Sequence, residues 1–301
     1  MDQKILDAIN TKLKSDFKLI KQFDSGIANL NYLLQNSKNE KIVARILKEQ
    51  KPENIAFEAL VQSKLNKARI GSPLLLKDDN KPILLKVDTN KITFSNYIEA
   101  DPNPKTFPNS LLEDLGELIA RFQLANSTIP TKEVPENYLS AGYQDNLKFR
   151  DKDKKTAKEI RVHIDKLYTE ISKLNLPQSI IHGDLNEGNI LIKDKKIIAI
   201  LDLETVEYKQ RILDLGIVIY YRQPESGLTY PEVSRLIISG FEKREKLTRE
   251  EKSSIPLAVR YTAACFSLWS LANEETNDKY DFLESFQELQ KRIEEGYKGA
   301  S

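Results

Sequence analysis

Residues 180–204 read IIHGDLNEGNILIKDKKIIAILDLE and combine two apolar runs with polar residues that are costly to bury. The runs have the length and the Ile and Leu content of buried strands. Burying polar and charged groups costs free energy unless hydrogen bonds or an opposite charge compensate them. The stretch therefore predicts a site at which a bound charge neutralises its polar side chains, which are His182, Asp184, Asn189, Asp202 and Glu204.

The spacing in the first half of the stretch is typical of a phosphoryl-transfer loop. His182, Asp184 and Asn189 fit the pattern H-x-D-x-x-x-x-N. In such a loop the carboxylate accepts or orients the proton of an attacking hydroxyl, and the amide oxygen helps to hold magnesium. We therefore predict Asp184 as catalytic base and Asn189 as metal ligand.

Two further acidic residues end the second apolar run. Asp202 follows the run directly, and Glu204 lies two positions later. Side chains two apart on a strand point the same way, so both carboxylates are expected to face one metal ion. Hard oxygen ligands of this kind suit Mg²⁺, which also takes oxygens from a bound phosphate.

Each of these residues also has a purely structural interpretation. Asp184 could cap a turn, Asn189 could satisfy loop amides, and Asp202 could mark a strand end. The joint pattern between two strand-like runs favours function. For His182 we favour the structural interpretation, a buried ring that braces the loop backbone.

Composition disfavours several classes of protein. The 301 residues are 40% hydrophobic and 30% charged, which is typical of a folded globular protein. The 46 Lys and Arg residues nearly balance 45 Asp and Glu residues, which argues against nucleic-acid and membrane partners. The single cysteine, Cys265, excludes an intramolecular disulfide and a thiolate zinc site. We see no secretory signal and no apolar run of about 18 residues, so a cytoplasmic protein is expected.

The pattern of the chain changes near Ala100. Residues 1–100 are rich in strand-like segments, with one helix predicted to begin at Pro52 and to stop at Gly71. Residues 101–301 read mainly as helices, apart from the strand pair within 180–204. We predict an α+β fold with a nucleotide-binding lobe, 1–100, and a catalytic and acceptor-binding lobe, 101–301.

Three residues of the first lobe are candidates for nucleotide contacts near the backbone. Gly26 lies in a turn between two predicted strands, where backbone amides can approach phosphates, and Asn29 follows it. In the segment TFSNYIEAD, residues 93–101, the backbone from Asn96 to Glu99 could offer groups to an adenine edge.

A charged pair is the strongest candidate of the first lobe. Arg45 interrupts the apolar strand KIVARIL, and Glu58 on the following helix is its expected partner. Kinases fix the cation that meets the α and β phosphates by such a strand-to-helix pair. Arg can serve in place of the usual Lys, and Lys48 is the alternative cation.

Together these segments resemble the aminoglycoside phosphotransferase and choline kinase superfamily, which includes homoserine kinases. The resemblance extends over roughly residues 15–295 and is most specific at 180–216. The segments that carry it are HGDLNEGNIL, ILDLE, GIANLNY, VARIL, FEALVQSKL and RILDLGIVI.

The resemblance implies a two-lobed fold similar to that of protein kinases, with ATP and Mg²⁺ as cofactors. It implies Asp184 as catalytic base, and Asn189 and Asp202 as magnesium ligands. It also implies that Arg45 and Glu58 form the phosphate-anchoring pair.

Further positions are similar to the family or depart from it. Glu204 matches an acidic residue expected to contact metal. Asp214 matches an aspartate that braces the catalytic loop, a role compatible with a helix cap at the same residue. Leu203 replaces the usual Phe after Asp202, and Gln123 stands where a His is frequent. Gly26 is all that remains of a Gly-rich loop.

We therefore expect a kinase that transfers the γ-phosphoryl group of ATP to a hydroxyl of a small metabolite. An amino alcohol or hydroxy amino acid, such as choline or homoserine, or an aminoglycoside is the expected acceptor; the oligomeric state stays open. The alternatives are a nucleotide-binding pseudokinase or scaffold, and a kinase-fold enzyme that modifies a protein. Aromatic residues of the C-terminal half read as core more readily than as an acceptor pocket: Tyr220, Tyr221, Tyr261, Phe266 and Trp269.

Overall fold

The computed structural model describes residues 1–23, 29–47, 52–102, 107–134, 147–273 and 282–298. The chain divides into two compact units. The first contains Met1–Asp101 together with Ile198–Leu201, and the second contains Pro102–Ile197 and Asp202–Ser301. The first unit is built on a β-sheet and the second is mainly helical, as expected for an α+β fold.

The described elements of the first unit are α1 (Gln3–Leu13), β1 (Lys18–Phe23), β2 (Asn29–Gln35), β3 (Lys41–Leu47), α2 (Pro52–Lys67), β4 (Lys77–Asp78), β5 (Lys81–Pro82), β6 (Leu85–Val87) and β7 (Asn90–Asn96). Five of the strands form an antiparallel sheet with the order β1-β2-β3-β7-β6.

Strand alternation gives the sheet one buried face. In β3 the side chains of Ile42, Ala44 and Ile46 are buried, whereas Arg45 lies on the opposite face. Helix α1 covers the buried face with Ile5 and other apolar residues. The alternation along β3 thus places its core residues on one face and Arg45 on the other.

Helix α1 is a correction to the prediction of a single helix in the first hundred residues. Asp2 caps the helix by accepting a hydrogen bond from the Lys4 amide at 3.1 Å. Ile5 and Ile9, one turn apart, are its buried residues. The Asp2 cap and the apolar pair are ordinary helix signals. The prediction missed them because the segments that follow are strand-like.

Ile198–Leu201 join the first unit at Gly71. The Ile200 amide donates to the Gly71 carbonyl at 2.9 Å. A Cβ atom on Gly71 would lie 1.9 Å from the carbonyl oxygen of Ile198, so the two backbones approach too closely for any other residue. Helix α2 itself ends at Lys67, so Gly71 serves this approach and does not stop the helix.

The second unit contains most of the helices and the short strands that hold the candidate site. Its elements, of which β10 continues into the first unit, are α3 (Leu112–Asn126), α4 (Lys154–Lys173), β8 (Gln178–Ile181), β9 (Ile190–Lys193), β10 (Lys196–Ile200), β11 (Glu207–Gln210), α5 (Ile212–Ser226), α6 (Tyr230–Phe241), α7 (Arg249–Asn273) and α8 (Phe282–Lys298).

Helix α7 is long and apolar enough, by length and composition alone, to cross a membrane. This corrects the expectation that no segment approaches that limit. Half of its most apolar stretch of 18 residues is buried, and α7 packs against α4, α5 and α8. Core helices of globular proteins pass the same test, so the feature is weak support for a membrane span.

A buried ion pair joins the start of α5 to the start of α7. Arg211 Nε lies 2.6 Å from Glu251 Oε1, and Arg211 Nη1 lies 2.7 Å from Glu245 Oε2. The Glu251 carboxylate is fully buried and also accepts from the Thr248 amide at 2.8 Å. Burial alone would raise the pKa of Glu251, but the bonds from Arg211 and Thr248 outweigh it and lower the pKa.

Replacing Glu251 with Gln should lower the free energy of unfolding by about 1 to 3 kcal/mol. An amide cannot accept all the hydrogen bonds that Arg211 and Thr248 donate to the buried carboxylate, whereas Arg211 keeps its ion pair with Glu245. Because the folded-state pKa of Glu251 is lowered, its contribution is present above the unfolded value of about 4.3 and is lost as pH falls through the folded value. Urea denaturation of both proteins at several pH values measures the difference.

Glu245→Gln is the matched control, since the Glu245 side chain is 31% exposed. Its loss should stay within about 1 kcal/mol. Equal losses for the two variants, or a Glu251→Gln effect independent of pH, would contradict the assignment.

Candidate active site

The loop 182–189 connects β8 to β9 and begins with a backbone turn that requires glycine. Gly183 has a φ of +82°, in the left-handed region that other residues rarely adopt. A Cβ atom there would lie 2.6 Å from the carbonyl oxygen of Thr205. Both the conformation and the lack of space therefore fix glycine before Asp184.

Asp214 fastens the start of this loop from the first turn of α5. Its fully buried carboxylate accepts hydrogen bonds from the backbone amides of His182 and Gly183, each at 3.0 Å. Gln123 Nε2 donates to the same carboxylate at 3.3 Å. Burial raises the pKa of Asp214, and the bonds from the loop amides oppose this effect. The side chain thus serves the loop. The expected helix cap at Asp214 is wrong, because Arg211 occupies the N-cap position of α5.

His182 occupies the bracing position expected for it. Its ring is fully buried and lies 5.6 Å, centroid to centroid, from the ring of Phe122. Nδ1 accepts a hydrogen bond from the Asp184 amide at 3.3 Å, and the His182 carbonyl accepts from Thr205 Oγ1 at 2.7 Å. The imidazole therefore shapes the backbone that presents Asp184.

Two amide side chains hold the Asp184 carboxylate. Asn186 Nδ2 donates to Oδ1 at 3.0 Å, and Asn189 Nδ2 donates to Oδ2 at 3.0 Å. Burial, with the charge of Asp202 in addition, raises the pKa of Asp184 to about 6, although both amides act in the opposite direction. A carboxylate held in this way has oxygens in fixed positions and an affinity for a proton that suits a general base near neutral pH.

Asn189 and Asp202 offer oxygen donors for the predicted metal site. Asn189 uses Nδ2 for Asp184, including its carbonyl oxygen at 2.8 Å, so Oδ1 is the atom suited to ligate a cation. Asp202 is exposed. Among the described residues no group of three acidic, His or Cys side chains forms a metal cage. One carboxylate and one amide oxygen fit Mg²⁺, which keeps water and phosphate oxygens as further ligands.

The strand argument for Glu204 is wrong. Asp202 adopts a left-handed conformation, with φ at +53°, and starts a 3₁₀ turn over Leu203–Thr205. The turn leaves Asp202 exposed and Glu204 only 7% exposed, so the two side chains do not alternate as on a strand. A metal contact by Glu204 stays a prediction, now without that geometric support.

In the first unit the structure brings Arg45 and Glu58 together. Arg45 Nη2 lies 2.5 Å from Glu58 Oε2, and both side chains are largely buried. Gln62 Nε2 donates to the other oxygen of Glu58 at 3.2 Å, and Arg45 Nε approaches Thr93 Oγ1 at 3.4 Å. The predicted strand-to-helix pair is therefore present and braced on both sides.

The remaining candidates of the first unit are less informative. Gly26 and Lys48 lie outside the described residues. Asn29 is buried at the start of β2. Glu99 is exposed, and its carboxylate lies 3.6 Å from Lys41 Nζ. Nucleotide contacts by these residues stay predictions.

Sequence reasoning missed Arg222, a fully buried cation near the end of α5. Its Nη2 donates to Glu187 Oε2 of the loop at 2.7 Å. The signal was available, since Leu215, Val218 and Arg222 recur at three and four residues on the buried stripe of the helix. A charge on such a stripe marks a buried interaction. Asn186, which holds Asp184, was also missed.

A cavity of about 750 Å³ lies between α6, α7 and α8. Pro231, Arg235, Lys246, Lys252 and Tyr297 are among the residues that line it. Neither the loop 182–189 nor Asp202 contributes to this lining, so the cavity is separate from the candidate chemistry.

Known proteins share both the sequence pattern and the fold. The profile of the APH phosphotransferase enzyme family matches residues 19–246. The chain is 23% identical over 260 residues to a homoserine kinase of Bradyrhizobium diazoefficiens, covering 82% of this chain and 77% of that protein.

Two solved structures resemble the whole chain. An amicoumacin kinase in complex with AMP-PNP, Ca²⁺ and Ami superposes with a TM-score of 0.73 at 15% identity, covering 98% of this chain and 96% of that chain. A microcompartment-associated aminopropanol kinase gives a TM-score of 0.70 at 12% identity, with coverage of 97% and 95%. These likenesses confirm the predicted kinase-like fold.

Gly183→Ala should lower the free energy of unfolding by about 2 to 5 kcal/mol, because left-handed strain adds to overpacking against Thr205. Gly227→Ala is the control: its φ is +70°, but nothing lies within 4 Å of the added Cβ. Strain alone should cost the control about 1 to 2 kcal/mol. Chemical denaturation measures both variants, and equal losses would contradict the close approach to Thr205.

Proposed function

The chain belongs to the phosphotransferase enzyme family, and from this premise we propose that it transfers the γ-phosphoryl group of ATP to a hydroxyl of a small metabolite, with Mg²⁺ as cofactor. The observation that carries the proposal is the Asp184 carboxylate, held by Asn186 and Asn189 in a loop that Asp214 fastens. An AMP-PNP and Ca²⁺ complex of a structural neighbour supports the use of a nucleotide and a divalent cation.

Asp184 receives the proton of the acceptor. Each of its oxygens accepts one amide bond and keeps a lone pair for the incoming hydroxyl. The hydroxyl oxygen bonds to the γ-phosphorus while the bond from that phosphorus to the β–γ bridging oxygen breaks, and ADP leaves. The hydroxyl proton passes to Asp184. Catalysis therefore rests mainly on the position of the carboxylate.

Charge neutralisation is assigned to three other residues. Asn189 and Asp202 would hold Mg²⁺, which when bound neutralises phosphate charge. Arg45, fixed by Glu58, would meet the α and β phosphates. Contacts of Gly26, Asn29 and Glu99 with the nucleotide, and of Glu204 with the metal, complete the proposal.

A small acceptor is favoured over a protein. Between Asp202 and α5 the chain forms the turn Leu203–Thr205 and then β11, which leaves no long segment to hold a peptide. The curated relative is a homoserine kinase, and the structural neighbours include an aminopropanol kinase. Hydroxy amino acids, amino alcohols and aminoglycosides are accordingly the classes to test.

ADP release from Mg-ATP in the presence of such a panel tests the function. One acceptor should raise turnover well above the basal rate. Tight ATP binding without stimulation by any acceptor would favour a pseudokinase or scaffold. Stimulation only by protein substrates would favour a kinase-fold enzyme that modifies a protein.

Asp184→Asn should lower turnover by about 10² to 10⁴ and leave nucleotide affinity nearly unchanged, because it removes the proton acceptor but keeps the shape of the side chain. Asp194→Asn, the same change at an exposed turn residue, is the control and should retain turnover. Full activity of Asp184→Asn in steady-state assays would exclude Asp184 as base.

Asp202→Ala should abolish the Mg²⁺-dependent part of ATP affinity, because a carboxylate ligand is lost. Calorimetric titration of ATP with and without Mg²⁺ measures this part in wild type, Asp202→Ala and Asp184→Asn. Equal Mg²⁺-dependent affinity in wild type and Asp202→Ala would contradict the metal assignment.

A further inference from the structure

Arg222 is a buried guanidinium with unused donors. Its side chain is 1% exposed, and Nη2 donates to Glu187 at 2.7 Å. Within the described part of the chain Nε and Nη1 have no hydrogen-bond partner. Folded proteins rarely leave buried polar groups unpaired, least of all charged ones, so these two nitrogens call for a ligand.

Aromatic rings surround the guanidinium. Its central carbon lies 4.8 Å from the ring centroid of Phe107 and 6.0 Å from that of Tyr221. Phe266 packs on the ring of Tyr221 at 4.7 Å and stacks on Tyr220 at 5.7 Å. Rings stabilise a cation through their faces, but they cannot satisfy its N–H groups.

The guanidinium is bonded to the loop of the proposed base. Its partner Glu187 is three residues after Asp184 in that loop. The Tyr221 hydroxyl is in the field of both carboxylates. Arg222 is therefore joined by a hydrogen bond to the same loop that carries Asp184.

We propose that Arg222 binds a carboxylate of the acceptor, and that the acceptor is accordingly a small hydroxy acid, hydroxy amino acids included. The inference rests on the proposed function and narrows its substrate class. A guanidinium donates charge-assisted hydrogen bonds to a carboxylate, and each of its two edges includes Nε or Nη1. An amino alcohol or an aminoglycoside has no anionic group for these donors.

Glu187 neutralises Arg222 from the solvent side. Its side chain is 52% exposed, and a single hydrogen bond joins the pair. Glu187 thus uses one donor of the guanidinium and leaves Nε and Nη1 for an acceptor carboxylate.

Matched acceptors test the proposal directly. L-homoserine and 3-amino-1-propanol, and likewise L-serine and ethanolamine, differ only by a carboxylate. In whichever of the two pairs is turned over, wild type should have a higher kcat/KM for the acid than for the amine. Arg222→Gln should lower kcat/KM for the acid by about 10- to 100-fold, the size of a lost hydrogen bond to a charged group. Its KM for ATP and its turnover of the amine should stay within a few-fold of wild type.

Glu187→Gln separates ligand binding from a purely structural pair. If Arg222 only holds Glu187 in place, both variants lose activity alike and on all acceptors. The proposal instead requires Glu187→Gln to keep the preference for the acid, because Arg222 and its free donors remain. Arg222→Lys, which keeps the charge without the planar fork, should recover part of the preference.

The possible outcomes distinguish this inference from the proposed function. Turnover with a preference for the amine, or an Arg222→Gln effect confined to the KM for ATP, would overturn the inference and leave the kinase intact. If no acceptor on the panel is turned over, the proposed function fails. Calorimetric titration of L-homoserine and 3-amino-1-propanol into wild type and Arg222→Gln then decides the role of Arg222, because weaker binding of the acid alone supports it and unchanged binding refutes it.

Discussion

Asp214, fully buried in the first turn of α5, accepts hydrogen bonds from the backbone amides of His182 and Gly183, and the geometry of the loop 182–189 depends on this interaction. A carboxylate withdrawn from water needs donors, and Gly183, which adopts a positive φ, supplies one of the two backbone donors. The loop and the carboxylate therefore specify each other. Gln123 supplies a further donor, so a residue that departs from the related family performs a bracing function here.

The same principle recurs around the other charged groups. Glu58 receives Arg45 and Gln62, and Gln62 in turn accepts from the Leu75 amide at 2.9 Å, so the strand cation is connected to the backbone beyond α2. Arg211 is held by two carboxylates and a carbonyl. Arg222 differs from Arg45 and Arg211, because hydrogen bonds within the described chain leave two of its nitrogens unused. Complete networks rigidify the scaffold, and the incomplete network at Arg222 is the basis of the proposed acceptor site.

The sequence predicted what depends on local spacing. The separation of Asp184 and Asn189 specified a contact within one loop, and Arg45 with Glu58 followed from a strand and the helix after it. Prediction from the sequence failed where a backbone conformation or a partner distant in the chain decides the position of a side chain. The left-handed conformation of Asp202 turns Glu204 inward, and an aspartate tolerates that conformation without any visible signature. Arg222 meets Glu187 across 35 residues, a contact that periodicity alone does not define. Helix α1 was missed despite its cap and its apolar pair.

A ribosome releases Met1–Asp101 well before it releases Ile198–Leu201, the segment that completes the first unit. At about 5 to 20 residues per second, the roughly one hundred residues between them take about 5 to 20 s to synthesise. Throughout that interval the Gly71 carbonyl lacks the Ile200 amide that it accepts in the finished protein. The nascent first unit therefore remains unfinished until after the whole loop 182–189, which carries Asp184, has been made. Expression of residues 1–101 alone yields the same unfinished unit, now permanently.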